Sequence, residues 1–134
     1  MSKKKRYWTL YLMDMLESIR RIEVYTKDIG YEEFLRNNMI KDAVVRNVEI
    51  IGEAARNIPK EIQAKYSHIP WAEIIATRNV IAHDYFEIDY KIVWNIICKH
   101  LPTLKKELEL ILQEIDNTPK LRTKASFHPS KLWH

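Results

Sequence analysis

Apolar residues recur at steps of three and four positions along most of this chain, and this spacing restricts its fold more than any other feature. Side chains so spaced lie on one face of an α-helix, which has about 3.6 residues per turn. Long stretches of this kind occur at 8–29, 38–58 and 90–116, and a further helix is predicted to start near Pro70. The chain has only 2 glycines and 5 prolines, which disfavours a turn-rich β fold. The sequence therefore predicts an all-α antiparallel bundle of four main helices, with one or two short helices between them.

Single residues predict where several helices begin and end. Gly30 follows the first apolar stripe and is expected to form a left-handed cap. Asn38 is the predicted N-cap of the helix that Pro59 ends. Pro102 lies inside the last stripe, where we expect it to kink the helix or divide it in two. The two short helices are predicted at 31–37 and 60–66.

Length and composition limit the class of protein. A chain of 134 residues with 46% hydrophobic residues suits one domain with its own core. The single cysteine, Cys98, excludes an internal disulfide and suits a reducing cytoplasm, where we expect the protein. Its neighbours Ile96, Ile97 and Leu101 favour a small core hydrophobe at position 98. No apolar run reaches the ~20 residues of a membrane span, and no signal peptide is recognisable.

The net charge of +4 does not describe the predicted bundle. Residues 7–119 carry 14 basic and all 18 acidic residues, a net charge of −4, so the body as a whole does not attract RNA. Any RNA affinity must come from a local patch, a cleft between two chains or the basic ends. We expect a domain at 1–117 and a basic tail at 118–134, which either orders across a partner chain or is an extension peculiar to this protein. The basic residues of the two ends are Lys3, Lys4, Lys5, Arg6, Lys120, Arg122, Lys124 and Lys131.

Charged residues on the predicted helices are interpreted first as solvated. Asp14 lies on the polar face of the first helix. Asp42 and Arg46 are one turn apart and can pair. Glu49 and Glu53 are also one turn apart and could share a divalent metal, but no third acidic residue follows at matching spacing. We therefore expect no metal site.

Arg78, His83 and Tyr85 form the most suggestive polar group in the sequence. Histidine has an unperturbed pKa near neutrality, about 6.5, and arginine offers a planar cation suited to phosphate. His83 is five positions after Arg78, off the helical face of that arginine, so the two converge best if the helix ends near His83. Asp89 is the predicted N-cap of the next helix, which favours such an end. As a bare pair, an arginine and a histidine at short spacing are more often surface residues than a site.

The wider sequence resembles the HEPN superfamily, and within it the HepT-like toxins of the minimal nucleotidyltransferase pairs. The hallmark of that family is an arginine, four residues, a histidine, one residue and a tyrosine, which Arg78, His83 and Tyr85 match. The stretch at 42–55 looks like the second long helix of the family, and Ile69-Pro70-Trp71 looks like its approach to the hallmark. The resemblance covers roughly residues 7–116.

This resemblance implies a HEPN-type helical bundle that acts as a metal-independent ribonuclease without a cofactor. It also implies a type VII-like toxin–antitoxin pair, in which a minimal nucleotidyltransferase partner transfers AMP to Tyr85 and silences the toxin. Such a modification would add bulk and negative charge beside Arg78. We expect RNA, not DNA, as the substrate, and no membrane partner.

The chemistry of RNA assigns roles to these residues. The 2′-hydroxyl of RNA can attack the adjacent phosphate and produce a 2′,3′-cyclic phosphate, with His83 as general acid or base and Arg78 on the phosphate oxygens. Asn79 and Asp84 are supporting candidates that could orient the phosphate and His83. One histidine per chain does not easily perform two proton transfers, so a homodimer with two facing sites is expected. Gly52, inside a predicted helix, suggests the close approach of another helix or of a partner chain.

Two other functions remain open at this point. The chain could be a catalytically inactive HEPN interaction module, which would bind the nucleotidyltransferase without cutting RNA. It could also be a nucleotide-binding accessory subunit of that enzyme, with Arg78 and His83 holding a free nucleotide. The nucleotide-binding alternative requires no histidine with a tuned pKa, and no phosphate-binding glycine-rich loop supports it.

Overall fold

The computed structural model describes residues 7–83 and 87–116, and for 78–83 it describes the backbone only. The described part of the chain is helical and contains no strand, which confirms the predicted all-α bundle. Four main segments, α1, α3, α5 and the continuous segment from α6 to α7, are joined by the short helices α2 and α4. The elements are α1 (Trp8–Tyr25), α2 (Tyr31–Arg36), α3 (Asn38–Arg56), α4 (Lys60–Lys65), α5 (Trp71–His83), α6 (Tyr90–Asn95), a π-helical segment (Ile96–His100) and α7 (Leu101–Asp116).

The predicted apolar stripes form the core. On α1, Leu12, Met15, Ile19 and Ile22 have no exposed surface, while Trp8 packs at the edge of the core. Helix α3 packs against both α1 and α5, so it is the central helix of the bundle. Gly52 is buried within α3. The remaining wall of the core comes from Leu101, Leu104, Leu108 and Ile111 of α7.

Helix α7 runs antiparallel to α1. Arg20 lies 3.8 Å from Glu109, and one turn further along α1 Glu23 lies 3.0 Å from Lys105. These pairs are exposed, so they contribute little stability, but they show which residues of the two helices are level with each other.

Two predicted helix caps are wrong, and the first helix, predicted at 8–29, ends four residues earlier, at Tyr25. Gly30 does not adopt a left-handed conformation; Asp28 does, with φ 61°, because an aspartate tolerates this region and the chain turns earlier. The N-cap of α3 is Asn37 and not Asn38, since the Asn37 side-chain oxygen accepts a hydrogen bond of 3.0 Å from the Ile40 N–H. Asn38 is the first helical residue.

Pro102 is accommodated by a π-helical turn. Proline has no N–H, and its ring crowds the carbonyl four residues earlier, here that of Cys98. The chain widens to a π turn over Ile96–His100 and returns to α geometry at Leu101, so the last helix is α, π and α in sequence. The break was predicted at this proline, but not its form.

Cys98 is exposed, and the prediction of a core position for it is wrong. Ile96 and Ile97 pack against the core, whereas Cys98, Lys99 and His100 face solvent. The physical reason is the π turn, which changes the angle between successive side chains and moves position 98 away from the apolar stripe.

No described helix is long and apolar enough to cross a membrane.

Candidate active site

The N-terminal end of α5 is firmly anchored. The Pro70 carbonyl accepts a hydrogen bond of 3.1 Å from the Ile74 N–H, and the buried Trp71 donates its indole N–H to the Tyr66 carbonyl at 3.1 Å. Ile69 is also buried beside Trp71. Because both residues at the start of α5 are buried, the direction of the helix is set before it reaches Arg78.

The neighbouring α4–α5 turn is joined to α7 by two side-chain contacts. The Tyr66 hydroxyl donates to a Glu114 carboxylate oxygen at 2.9 Å, and His68 Nε2 lies 2.7 Å from Glu107 Oε1. Burial, together with the hydrogen bond to Glu114, raises the pKa of Tyr66 to about 12. These contacts hold the start of α5 against the far side of the bundle.

The C-terminal end of α5 carries three of the predicted site residues. Arg78, Asn79 and His83 lie on its last turns, in the part of the helix described by its backbone. Glu87, Ile88 and Asp89 are not helical, so α5 ends before Glu87. The predicted helix end near His83 is confirmed. The predicted convergence of Arg78 and His83 concerns side chains outside the described part, as do the predicted roles of Asp84 and Tyr85.

The chain is fixed again directly after this end. Asp89 caps α6, as predicted, because its carboxylate accepts hydrogen bonds from the backbone N–H groups of Lys91 at 3.0 Å and Ile92 at 3.4 Å. The Tyr90 ring then packs edge-on against the buried Phe34, with centroids 6.2 Å apart, and Lys41 Nζ lies 4.7 Å from the Tyr90 ring centre. The hallmark segment thus joins two anchored helices.

A groove between α1 and α3 was not predicted from the sequence. It has a volume of about 290 Å³. Asp14, interpreted as solvated, is one of its walls, and no local pattern in the sequence could have placed that residue beside α3. Its lining residues are Tyr11, Asp14, Arg46, Glu49, Ile50, Glu53, Ala54 and Asn57.

The charged residues of α3 pair differently from the sequence interpretation. Arg46 lies 4.0 Å from Glu49, one turn ahead, where Asp42 was the suggested partner. Glu53 lies 3.5 Å from Arg56. Among the described residues, no group of three or more histidine, cysteine or acidic side chains is arranged to hold a metal ion.

Comparisons with known proteins match the part of the chain that contains Arg78, His83 and Tyr85. A family model described as "Ribonuclease HepT-like" matches residues 15–111. The protein named "Putative RNase MJ1380" of Methanocaldococcus jannaschii is 44% identical over 107 residues, which cover 80% of this chain and 98% of the relative. "Putative RNase MJ1216" of the same organism is 45% identical over 112 residues, covering 84% and 93% respectively.

A relative from a second organism also has a ribonuclease name. "Probable ribonuclease HepT" of Thermococcus cleftensis is 38% identical over 105 residues, covering 78% of this chain and 96% of its own length. No solved structure matches the chain significantly. The family match spans most of α1, all of α3 and α5 and most of α7, and it includes the positions of Arg78, His83 and Tyr85. The chain therefore belongs to the HepT-like ribonuclease family.

Proposed function

We propose that this protein is a metal-independent endoribonuclease, with Arg78 and His83 as its catalytic residues. The observation that carries the proposal is the position of both residues on the last turns of α5, just before the helix ends. Side chains at a helix end can leave the core while the helix still positions them. The family to which the chain belongs, and the ribonuclease names of its relatives, support the same activity.

The reaction uses a nucleophile that RNA itself supplies. The ribose 2′-oxygen attacks the adjacent phosphorus and releases its proton to a base, while the 5′-oxygen leaves and takes up a proton from an acid. The products are a 2′,3′-cyclic phosphate and a 5′-hydroxyl. His83 serves as one of these proton-transfer groups, a role that typically contributes ~10²–10⁴-fold.

Arg78 acts on the charge that develops at phosphorus. Its planar guanidinium donates two parallel hydrogen bonds to non-bridging oxygens, which an ammonium group cannot reproduce. Asn79, beside it on the helix, and Asp84 support the phosphate and His83 in this proposal. DNA has no 2′-hydroxyl and is not a substrate for this chemistry.

The second proton-transfer group comes from a second copy of the chain. Each hallmark contains one histidine, and a two-fold axis places two identical sites across one cleft. A homodimer therefore completes the acid and base pair that a single chain lacks.

A nucleotidyltransferase partner controls this activity through Tyr85. The Tyr85 phenol oxygen attacks the α-phosphorus of ATP in the partner, loses its proton and becomes joined to AMP, while pyrophosphate leaves. The added phosphodiester carries negative charge and its nucleoside adds bulk two residues from His83, so RNA is excluded. The protein is then the toxin of a toxin–antitoxin pair.

Cleavage of a defined RNA by the purified chain tests the catalytic proposal. Wild type should release fragments with cyclic phosphate ends in EDTA, and His83→Ala should reduce the rate by at least ~100-fold while its thermal unfolding stays unchanged. Arg78→Lys should also be strongly impaired, because it keeps the charge and loses the planar donor pair. His100→Ala is the control, since His100 is an exposed histidine on the π segment, and this variant should cut RNA normally.

Two results would contradict the catalytic proposal. Loss of cleavage in EDTA with recovery in magnesium or manganese would overturn metal independence. A pure wild-type dimer that cuts no RNA would instead favour an interaction module. Intact mass after co-expression with the nucleotidyltransferase tests the control separately, because modification adds the mass of an AMP residue.

A further inference from the structure

The groove between α1 and α3 combines acidic and apolar walls. Three carboxylates and one guanidinium line it, a net charge of −2, and Arg56 beside it reduces the charge of this face to −1. Arg46 and Arg56 have 72% and 61% of their side chains exposed, so their pairs with the glutamates are weak. Tyr11, Ile50 and Ala54 supply apolar surface between the charges. A suitable occupant is therefore a basic peptide with some large apolar side chains.

The chain itself contains such a peptide after α7. Residues 117–134 include no aspartate or glutamate and contain Lys120, Arg122, Lys124 and Lys131, interspersed with Phe127 and Trp133. The family match ends at residue 111, and 107 residues of this chain cover 98% of the relative MJ1380. This C-terminal segment therefore lies outside the part of the chain that the family model matches.

Helix α7 delivers the segment to the correct end of the bundle. Glu109 is level with Arg20 of α1, and the two helices are antiparallel. Asp116 lies seven residues later, ~10 Å along the axis at 1.5 Å per residue, which places it level with the first half of α1. Tyr11 and Asp14 face the groove from that half of α1.

The remaining distance is short for a segment of this length. Passing around α1, a cylinder ~10 Å in diameter, requires about 16 Å. Five or six extended residues at ~3.3 Å each cover it, so residues from Arg122 onward can reach the groove. The N-terminal segment also starts nearby and is basic, but Lys3–Arg6 offers no large apolar side chain for Tyr11 and Ile50.

We propose that residues 122–134 of the same chain dock in the α1–α3 groove, with their basic side chains on Asp14, Glu49 and Glu53 and an aromatic side chain on Tyr11 and Ile50. The docked segment neutralises the acidic outer face of α3, the helix that packs along α5. This docking is a property of this chain and requires no ribonuclease activity.

Zero-length cross-linking with a carbodiimide tests the proposal on the unaltered protein. The reagent joins a lysine to a carboxylate only where the two groups touch. Lys124 and Lys131 should be linked to Asp14, Glu49 or Glu53, and not to Glu32 or Glu33, which are exposed on α2. A mixture of ¹⁴N and ¹⁵N protein should give these links within one isotope only.

Trypsin sensitivity gives an independent measure. Docking protects the bonds after Arg122 and Lys124 but not the linker bond after Lys120, so Asp14→Asn combined with Glu49→Gln should speed cleavage at the two protected bonds by about tenfold. Glu32→Gln with Glu33→Gln is the matched control and should leave the rate unchanged. Neither pair creates a new cleavage site, and 0.5 M salt should mimic the groove variant because exposed pairs are screened.

Each alternative result would overturn the proposal. Links between isotopes would show that the segment binds a second copy. Links from Lys3, Lys4 or Lys5 to the groove would assign it to the N-terminal segment. If the wild-type protein gives no links between residues 122–134 and the groove carboxylates, the segment does not dock there, and the trypsin results cannot rescue the proposal.

Discussion

Tyr85 is the residue at which catalysis and control separate in the proposed mechanism. Tyr85→Phe removes only the hydroxyl, so the variant should still cut RNA but cannot accept AMP. In cells it should remain toxic when the nucleotidyltransferase is co-expressed, whereas wild type is neutralised, as growth curves would show. Equal neutralisation of both proteins would mean that the partner acts by binding alone. A harmless variant in the absence of the partner would place the phenol in the catalytic set.

Cys98 was predicted to lie in the core, but it is exposed in the structure. Its thiol is exposed on the π segment, so native protein should react with a thiol reagent at the rate of an accessible thiol. Cys98→Ser should abolish labelling and change stability by less than ~0.5 kcal/mol, the range of ordinary surface substitutions. If the thiol reacts only after urea is added, Cys98 is buried in the native protein, either in the core or in a contact between chains.

Asp89 shows how one element supports the candidate site. Its carboxylate satisfies two N–H groups at the start of α6, and α6 fixes the far end of the hallmark segment. Asp89→Ala should lower the free energy of unfolding by about 1 kcal/mol, the usual effect of losing an N-cap. Urea denaturation measures this change. Glu87→Ala, an exposed neighbour outside the cap, is the control and should cost less than half as much.

The last helix illustrates how one residue changes a whole element. A strict α-helix from Tyr90 to Asp116 would leave Pro102 in conflict with the Cys98 carbonyl. The π segment at Ile96–His100 removes this conflict and keeps both ends of the helix on the core, with Val93 and Leu104 buried on either side. Helix α7 can therefore pack along α1 while α6 remains beside α2.

At the scale of the whole molecule, Tyr66 couples stability to pH. Burial and the Glu114 contact, 48 positions away, raise its pKa to about 12, whereas an unfolded tyrosine has a pKa of ~10. The folded protein thus retains a proton that the unfolded chain releases. This contribution to stability is complete below about pH 10 and is lost as the pH rises through about 12.

Tyr66→Phe tests that coupling. At neutral pH this variant should have a free energy of unfolding lower by about 1 kcal/mol, because one hydrogen bond is lost. Its stability should also fall less than that of wild type as the pH rises from 10 to 12. Urea unfolding between pH 8 and pH 12 measures both effects. Tyr7→Phe is the control, because Tyr7 is 61% exposed. An identical alkaline loss in wild type and Tyr66→Phe would show that Tyr66 does not couple folding to pH.

The proposed reaction also requires an assembly of two chains. Light scattering at micromolar concentration should give twice the chain mass of 16.1 kDa. Adding an excess of His83→Ala chains to wild type should lower cleavage more than dilution alone does, because a mixed dimer holds one His83 where the proposed reaction needs two. A monomeric mass for an active enzyme would contradict the need for a second copy.

The amino-acid sequence by itself determined the features that depend on neighbours along the chain. The stripe of Leu12, Met15, Ile19 and Ile22, the Asp89 cap and the end of α5 near His83 follow from helical periodicity and from backbone groups within one turn. The spacing of Arg78, His83 and Tyr85, with its flanks, was also sufficient to indicate the family.

Only the tertiary structure decided what depends on residues far apart. The bond from Tyr66 to Glu114 and the groove that Asp14 shares with Glu53 arise when helices pack, and no local pattern encodes which helices meet. The exposure of Cys98 follows from the π segment, whose form the apolar spacing does not reveal. Periodicity shows which face of a helix is apolar, because every helix of a bundle turns its apolar face toward the core. The partner of that face, and the register of contact, depend on the packing of the whole bundle.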